Sequence, residues 1–349
     1  MYPDKWVEGK PLVSVIAICH NHARFVVETL DSIRLQTYPN IELIIINNLK
    51  DECEEIINDW ILINKINVRF IQNESTLNTS ENVNLGVNHS SGKYLQIISC
   101  DDIILPSKIE CQVKVFESLL NDCACVFSDY QKIDERGMPI SNRNHYLGLK
   151  DRYFLPEEMQ KILSRKPFVA LHASLIRRSA FIESGGVNPK YEIEDYYLWL
   201  LLTSRGYSFY LHNRTFVKYR ILRNSLWNSR GLKLIEKNLL IRLEFLEFLY
   251  KNNTKNFKGL FYSITHYIRA GGNFSEKRFL EVMKAINFYS KKYHQIIIFY
   301  NIIQGLRPRF IPIFIFKMID KYYRVLYLSK VLLQKIHLII KSPSGILFC

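Results

Sequence analysis

Short apolar runs alternate with helical segments through the first 130 residues, and this alternation restricts the possible folds more than any other feature. The apolar runs are residues 12–19, 41–47, 66–72, 93–99 and 123–130. The helical segments are residues 23–36, 51–63, 79–90 and 106–120. Strands that are apolar on both faces are typical of parallel sheets covered by helices on each side. The sequence therefore predicts an α/β fold: a Rossmann-like, mostly parallel sheet flanked by helices.

Polar residues stand where three of the predicted strands end. They are Cys19-His20-Asn21, Asn47-Asn48 and Ser99-Cys100-Asp101-Asp102. Ligands of parallel α/β sheets bind at the carboxyl ends of the strands, so these residues predict a nucleotide-binding site. The chain has neither a GxGxxG turn after the first strand nor a GxxxxGK[ST] loop. Any bound phosphate is therefore expected to be held mainly by side chains and a metal ion.

Two adjacent carboxylates, Asp101 and Asp102, interrupt the apolar stretch QIISCDDIILP. Like charges repel, and burying either one is unfavourable. One explanation is a solvated turn before the helix that begins near Pro106. The other is a bound cation, since hard carboxylate oxygens suit Mg²⁺ or Mn²⁺. The two residues by themselves leave both explanations open.

Cysteine content and the amino-terminal residues indicate a cytoplasmic protein. The seven cysteines are scattered and form no CxxC pair, which argues against a disulfide framework or a zinc site. The amino-terminal residues lack the charged start and cleavage site of a secretory peptide. No cleaved targeting segment is expected.

Positive charge is concentrated in the last third of the chain. Residues 231–349 contain 20 Lys and Arg but only 6 Asp and Glu, an excess equal to the net charge of +14 of all 349 residues. Residues 1–230 are therefore balanced. This asymmetry predicts two functionally different parts, with a basic helical extension at 231–349.

The basic extension contains an amphipathic segment. Residues 316–342 mix large apolar residues with lysines at regular intervals, which is typical of a helix on an anionic membrane surface. No apolar run reaches the roughly 20 residues needed to span a bilayer. Packing against the rest of the protein is the alternative. Nucleic acid is the least favoured partner, because no nucleic-acid-binding motif is recognisable.

The middle of the chain predicts further mixed structure. Residues 131–165 are polar and are expected to be rich in loops. Residues 168–221 predict a strand, a short helix, a turn at Gly185-Gly186, a helix that begins near Glu194-Asp195, and two strands after Gly206. Acidic residues are favoured in the first turn of any helix, so Glu194 and Asp195 need not be functional.

Three blocks of sequence occur in an order and spacing that point to a known family. They are SVIAICHNHARFVVETLDSIRLQTYPNIELIIINN, NVNLGVNHSSGKYLQIISCDDIILPSKIECQV and SGGVNPKYEIEDYYLWLLLTSRGYSFY. Together they resemble the family 2 glycosyltransferases, which have the glycosyltransferase A-type fold. The resemblance covers about residues 11–225 and implies a catalytic domain at 1–230.

The resemblance implies an inverting enzyme that moves a sugar from a nucleoside-diphosphate sugar to a hydroxyl of a glycan or lipid-linked glycan. Asp195 is implied as the base that deprotonates the acceptor, with Glu194 as the alternative. Asp101 and Asp102 are implied to bind Mg²⁺ or Mn²⁺. Contacts with the donor nucleotide are implied for Cys19, His20, Asn21, Asn47, Asn84 and Asp101. Asn21 could instead cap the following helix.

The family resemblance and the basic extension together suggest a role in bacterial surface-polysaccharide assembly, such as O-antigen or capsule. The protein is expected in the cytoplasm, peripheral on the inner face of the cell membrane. An anionic membrane surface is therefore a predicted partner, beside the sugar-nucleotide donor and the glycan acceptor.

Four positions depart from the family pattern. Asn47 replaces an Asp that accepts a hydrogen bond from uracil, and an amide oxygen still accepts that bond. Guanine, with two adjacent donors, would be matched better by a carboxylate, so UDP- or dTDP-sugars are favoured. Ser99 replaces the first acid of the metal motif, while Val83 and Leu222 replace an Arg and a His. Because of these changes, the alternative is a non-catalytic member of the family that binds nucleotide or glycan. A sugar-1-phosphate nucleotidyltransferase is disfavoured, because the first strand lacks a Gly-rich loop.

Overall fold

One mixed sheet, with helices on both faces, makes up most of the described structure. The computed structural model describes residues 9–140, 146, 149–163, 167–191, 194–222, 241 and 245. The strands are Val13–Cys19 (β1), Ile41–Asn47 (β2), Arg69–Gln72 (β3), Tyr94–Ser99 (β4), Ile103–Ile104 (β5), Cys123–Ile133 (β6), Arg152–Phe154 (β7), Ser174–Arg177 (β8) and Ser208–Arg220 (β9). The helices are Val26–Arg34 (α1), Cys53–Asn64 (α2), Thr79–Asn88 (α3), Lys108–Ser118 (α4), Pro156–Leu163 (α5), Arg178–Glu183 (α6) and Glu194–Ser204 (α7).

The strand order is β3-β2-β1-β4-β8-β6-β9-β5, and β7 pairs with β9. Strands β3, β2, β1 and β4 are mutually parallel, as are β6 and β9. Strand β8 runs antiparallel to both of its neighbours, β4 and β6. The predicted α/β architecture with a mostly parallel sheet flanked by helices is confirmed.

Helices cover both faces of the sheet because alternate residues of β1 point to opposite sides. Val15 and Ala17 lie in one buried cluster with Leu30 of α1 and Trp60 of α2. Ile16 points the other way, toward α3. A Cβ at Gly86 of α3 would stand 2.4 Å from a side-chain carbon of Ile16, so this helix approaches the sheet closely only because residue 86 is glycine.

The parallel register brings the polar strand ends to one edge of the sheet. Cys19 is the register partner of Asn47, and Asn47 is the partner of Gln72. On the other side of β1, Ile18 is paired with Ser99. The edge where α/β sheets bind ligands therefore carries the residues that the sequence singled out.

One prediction about residues 168–221 was wrong. Residues after Gly206 form one strand of 13 residues, β9, and not two strands. Opposite Ser128 and Asp129, its pairing jumps from His212 to Thr215, a bulge that keeps the strand continuous. Residues 131–165 contain the end of β6, all of β7 and helix α5 in addition to the expected loops.

The predicted domain boundary at residue 230 and the helical extension at 231–349 lie almost entirely outside the described residues, so both stay predictions. Within the part that the structure describes, none of the helices combines the length and the apolar character needed to cross a membrane.

Candidate active site

The acidic turn follows β4 directly and is anchored to the end of β1. Cys100 donates its backbone N–H to the carbonyl oxygen of Ile18 at 2.9 Å, and Asp102 donates to Ser99 O at 3.1 Å. Asp101 and Asp102 are both buried, with exposed fractions of 8% and 1%. A solvated surface turn is therefore not the explanation for this pair.

Arg220, the last residue of β9, holds the acidic turn, although it lies 118 residues after Asp102 in the sequence. Its backbone N–H donates to Asp102 Oδ1 at 2.9 Å, and its Nε donates to the carbonyl oxygen of Asp101 at 2.8 Å. The same guanidinium pairs with Glu28 of α1 at 2.5 Å. Thr29, also in α1, donates its hydroxyl to Asp102 O at 2.7 Å. Backbone and side chains of two remote elements thus fix both acids.

Burial dominates the electrostatics of Asp102. It raises the pKa of this carboxyl well above its usual value, and the charge of Asp101 raises the pKa further. The backbone N–H and the guanidinium of Arg220 oppose both effects without cancelling them. The pair therefore lacks sufficient positive charge, which a divalent cation would supply.

Two histidines flank the acid pair. His22 Nε2 lies 3.9 Å from Asp101 Oδ2, and His172 Nδ1 lies 3.7 Å from Asp102 Oδ2. The His172 ring stacks on Tyr219 with centroids 4.6 Å apart. Burial lowers the pKa of His22, and the charge of Asp101 acts in the opposite direction. The stacking of His172 is a structural contact, and its carboxylate neighbour also puts this histidine beside the acid pair.

Asp195 lies in the first turn of α7 and is partly buried. Burial raises its pKa to about 6, while the backbone N–H of Tyr196, which donates to Asp195 Oδ1, lowers it. Such a carboxyl is ionised at neutral pH and still basic enough to accept a proton. The Glu194 side chain lies outside the described structure, so the choice between the two acids stays a prediction.

The charges of Asp195 and of Asp102 raise the pKa values of the same two tyrosines, Tyr130 and Tyr219. Burial raises the pKa of Tyr219, and the charges of Asp102, Asp101 and Asp195 raise it further. Tyr130 is affected in the same way by burial and by Asp129, Asp195 and Asp102. The two tyrosine rings are 5.8 Å apart. The charges of acids separated by more than 90 residues in sequence therefore act on the same two tyrosines.

Asp101 and Asp102 suit a divalent cation whose remaining ligands come from a bound phosphate. Among the residues with a described structure, no three His, Cys, Asp or Glu side chains are grouped to hold a metal ion by themselves. Mg²⁺ is usually bound by only one or two carboxylates, with substrate phosphates and water completing its coordination. Asp101 and Asp102 fit that kind of site.

The residues predicted to contact a nucleotide occupy different environments. Cys19 is fully buried, and its thiol contacts those of Cys53 and Cys100. His20 and Asn21 are exposed in the loop that follows. Asn47 is fully buried at the end of β2. Cys19, Asn47 and Asp101 thus lie along one sheet edge, and their roles in binding stay predictions.

Asn84 of α3 makes a different kind of contact. Its Nδ2 donates to Val187 O at 2.7 Å, and its Oδ1 accepts from Val187 N at 3.1 Å. Both ends of the amide therefore hold the turn at Gly185-Gly186. A Cβ at Gly186, which has a φ of +71°, would stand 2.8 Å from Asn84 Oδ1. Donor binding by Asn84 stays a prediction, and supporting this turn is the role that its contacts show.

Sequence reasoning did not single out Arg220, Glu28 or His22. Arg220 is 1% exposed and carries the hydrogen bonds that order the acidic turn. The sequence could have pointed to Arg220, because this residue lies two positions before Leu222, which departs from the family pattern. Glu28 and His22 lie in the first sequence block, but a charged residue near a helix start is too common to be informative.

The fold is that of an α/β protein whose buried acid pair lies at the carboxyl end of a parallel strand, where such sheets bind ligands. The chain belongs to the glycosyl transferase family 2, whose family model matches residues 14–185. An uncharacterized glycosyltransferase of Methanocaldococcus jannaschii is 30% identical over 269 residues, which are 74% of this chain and 88% of that protein. One from Rickettsia prowazekii is 30% identical over 216 residues, 60% of this chain and 64% of that protein.

Solved structures share the fold at low sequence identity. The TarS protein of S. aureus, in complex with UDP-GlcNAc, is 14% identical, with a TM-score of 0.57 over 80% of each chain. The mannosyltransferase PcManGT of Pyrobaculum calidifontis, in complex with GDP-Man and Mn²⁺, is 13% identical. Its TM-score is 0.52 over 81% of this chain and 76% of that chain. At these identities the likeness is one of fold.

Proposed function

We propose that this glycosyltransferase transfers a sugar from a nucleoside-diphosphate sugar to an acceptor hydroxyl, with inversion at the anomeric carbon. The observation that carries the proposal is the buried Asp101–Asp102 pair, which Arg220 and Thr29 hold in place. The separate Asp195 adds support, since its charge acts on the same tyrosines, Tyr130 and Tyr219, as the charge of Asp102. An acid pair for the diphosphate and a lone acid for the acceptor are the two groups that a single displacement needs.

The chain's own residues divide the work of this reaction. Asp195, with a pKa raised to about 6 by burial, accepts the proton of the attacking hydroxyl. Asp101 and Asp102 would hold a divalent cation, which neutralises charge on the leaving diphosphate. Arg220 and Thr29 keep the acidic turn in place through their hydrogen bonds to Asp101 and Asp102.

A uridine or thymidine nucleotide is the donor favoured by Asn47. Its amide oxygen offers one acceptor to a base, which suits the single N3–H of uracil or thymine. The fold relatives bound to UDP-GlcNAc and to GDP-Man support a sugar nucleotide in general. Because these two relatives bind different bases, the base of the donor must be inferred from the residues of this chain.

A lipid-linked glycan on the inner membrane surface is the proposed acceptor. The support is the net charge of +14, all of it after residue 230. An acceptor in an anionic membrane would make that charge useful. Assembly of a bacterial surface polysaccharide is the process that fits such an acceptor.

A panel of nucleotide sugars tests the proposal. Each sugar nucleotide is incubated with the full chain, with Mn²⁺ or with a chelator, and the released nucleoside diphosphate is measured. Release should require both the metal ion and Asp195. A chain that binds sugar nucleotides but forms no nucleoside diphosphate under any condition would be the non-catalytic alternative. The departures from the family pattern at Ser99, Val83 and Leu222 are the reason for considering that alternative. A chain that binds no nucleotide at all would contradict both.

A further inference from the structure

Two side chains without an assigned role, Asp51 and Gln72, converge on Asn47 at the strand edge. The Asn47 Nδ2 group donates to Asp51 Oδ1 at 3.2 Å and to Gln72 Oε1 at 3.0 Å. Asp51 lies in the turn before α2, and Gln72 is the last residue of β3. One amide nitrogen is therefore shared between two acceptors from neighbouring elements.

The chemistry of these neighbours determines which end of the Asn47 amide faces them. The Asp51 carboxylate can only accept. Gln72 Nε2 already donates to the carbonyl oxygens of Asn47 and Asn73, at 3.3 and 3.1 Å, which leaves only its oxygen for the Asn47 side chain. Both neighbours thus require the NH₂ end of Asn47. Its oxygen must point away from them.

That oxygen is the group left without a partner. Within the described residues, Asn47 Oδ1 is buried and accepts no hydrogen bond. A buried acceptor without a donor is unfavourable, so such groups are usually satisfied by a ligand or by water. At the carboxyl end of a parallel strand, a ligand N–H is the natural donor.

Asp51 also orders the loop after β1. Its Oδ2 accepts from the backbone N–H of Asn21 at 3.2 Å, and its Oδ1 accepts from Cys53 N at 3.0 Å. Asn21 has a φ of 58°, in the left-handed region, which asparagine adopts more readily than other non-glycine residues. The same carboxylate therefore fixes the loop backbone and the Asn47 amide together.

We infer that Asp51 and Gln72 are positioning residues that set the base specificity of the donor site, by holding Asn47 with its oxygen toward the nucleobase. This inference rests on the proposed function. The oxygen pairs with a base that presents an N–H: uracil, thymine or guanine. Cytosine N3 and adenine N1 are acceptors, so cytidine and adenosine nucleotides would leave two acceptors facing each other.

Calorimetric titration of the full chain with UDP and CDP, in the presence of Mn²⁺, tests the inference. The wild type should bind UDP roughly 10- to 100-fold more tightly than CDP, because the mismatched acceptors in the CDP complex stay unsatisfied. The double variant Asp51→Ala, Gln72→Leu frees the amide to turn. Its affinity for CDP should rise above that of the wild type, and mere damage to the site would not produce a gain.

Glu52→Ala is the matched control, since it removes the neighbouring exposed acid and should leave the UDP-to-CDP ratio unchanged. If the double variant does not fold, Asp51→Ala alone should lower the ratio about fivefold, because only the Gln72 acceptor remains. Equal binding of UDP and CDP by the wild type, or an unchanged ratio in the folded variants, overturns the inference and leaves the proposed function intact. Failure of the wild type to bind any nucleotide overturns the proposed function itself.

Discussion

At the scale of single residues, the site separates two kinds of carboxyl by their surroundings. Asp102 is 1% exposed, receives the Arg220 backbone N–H and lies next to a second acid. Asp195 lies in the first turn of α7, and burial raises its pKa to about 6. These different surroundings support the proposed roles, cation binding for Asp102 and proton transfer for Asp195.

Replacing Asp195 by Asn should reduce turnover by roughly two to four orders of magnitude, the usual contribution of general acid–base catalysis. Donor affinity should change little, since the amide keeps the size of the side chain. Steady-state kinetics and donor titration separate the two effects. Glu194→Gln is the matched control, and a larger loss in that variant would identify Glu194 as the base.

The activity of the wild type should fall on acidification with a midpoint near pH 6. Asp195 must be ionised to accept a proton, and its pKa is raised to about 6. Above that pH the base is available, and below it the base is protonated. The pH profile of kcat/KM reports this pKa for the free enzyme. A profile that stays flat down to pH 5 would exclude Asp195 as the base.

Asp102→Asn should abolish metal-dependent donor binding and leave the fold intact. The amide oxygen can still accept the Arg220 N–H, while the loss of a buried charge beside Asp101 relieves repulsion. The metal-free variant should therefore be at least as stable as the wild type in thermal unfolding. A variant with full Mn²⁺-dependent turnover would remove Asp102 from the proposed metal site.

At the scale of elements, α4 is joined to the sheet by a buried polar cluster. Lys108 is fully buried, and its Nζ donates to Gln96 Oε1 of β4 and to Gln112 Oε1. Gln96 and Gln112 in turn donate to the carbonyl oxygens of His172 and Ala173. The helix thus supports the segment that carries His172 beside Asp102. Burial lowers the pKa of Lys108 to about 7.

The free energy of unfolding should rise with pH between about 7 and 8.5 because of Lys108. The unfolded chain keeps this lysine protonated up to about pH 10, whereas the folded protein releases its proton near pH 7. The unfolded state therefore binds more protons in this window, which gives a slope of up to about 1.4 kcal/mol per pH unit. Denaturant unfolding at several pH values measures the slope.

Two variants of α4 isolate this effect. Lys108→Met should lose the slope, while Lys114→Met, which changes an exposed lysine of the same helix, should keep it. Equal slopes in all three proteins would mean that Lys108 is not the titrating group.

At the scale of the whole molecule, charge separates residues 1–230, the proposed catalytic part, which is neutral overall, from the basic residues 231–349. The entire excess of +14 lies beyond residue 230. The segment at 316–342 that motivates the membrane proposal lies outside the described residues. Its support is the sequence pattern of lysines among large apolar residues.

Binding of the full chain to vesicles should require anionic lipid and should weaken with salt. Each basic residue near such a surface contributes about 1 kcal/mol, so replacing three lysines of the segment by Gln should greatly reduce co-sedimentation. The three are Lys317, Lys321 and Lys330. The matched control replaces three exposed lysines of the catalytic part, Lys50, Lys65 and Lys114. Equal loss in both variants, or equal binding to neutral and anionic vesicles, would refute the proposed role of this segment at an anionic membrane.

The order of strands and helices in the first 130 residues, apart from the two-residue strand β5, could be predicted because apolar periodicity is a local property of the chain. The polar residues at Cys19, Asn47 and Asp101 could be located for the same reason, since each interrupts an apolar run. Irregular features within strands are harder to predict from the sequence. The bulge near His212 breaks the alternation within one strand, and local pattern cannot distinguish this from the end of a strand.

The sequence by itself determined which residues stand at strand ends and which segments are buried. Only the tertiary structure decided how remote residues meet: Arg220 on the acidic turn, Asp195 beside the same tyrosines, and Asp51 with Gln72 on Asn47. The physical reason is that these contacts depend on strand order and register. Strand β8 inserts antiparallel between β4 and β6, and β9 returns beside β6 to bring Arg220 to Asp102. No local pattern encodes that return.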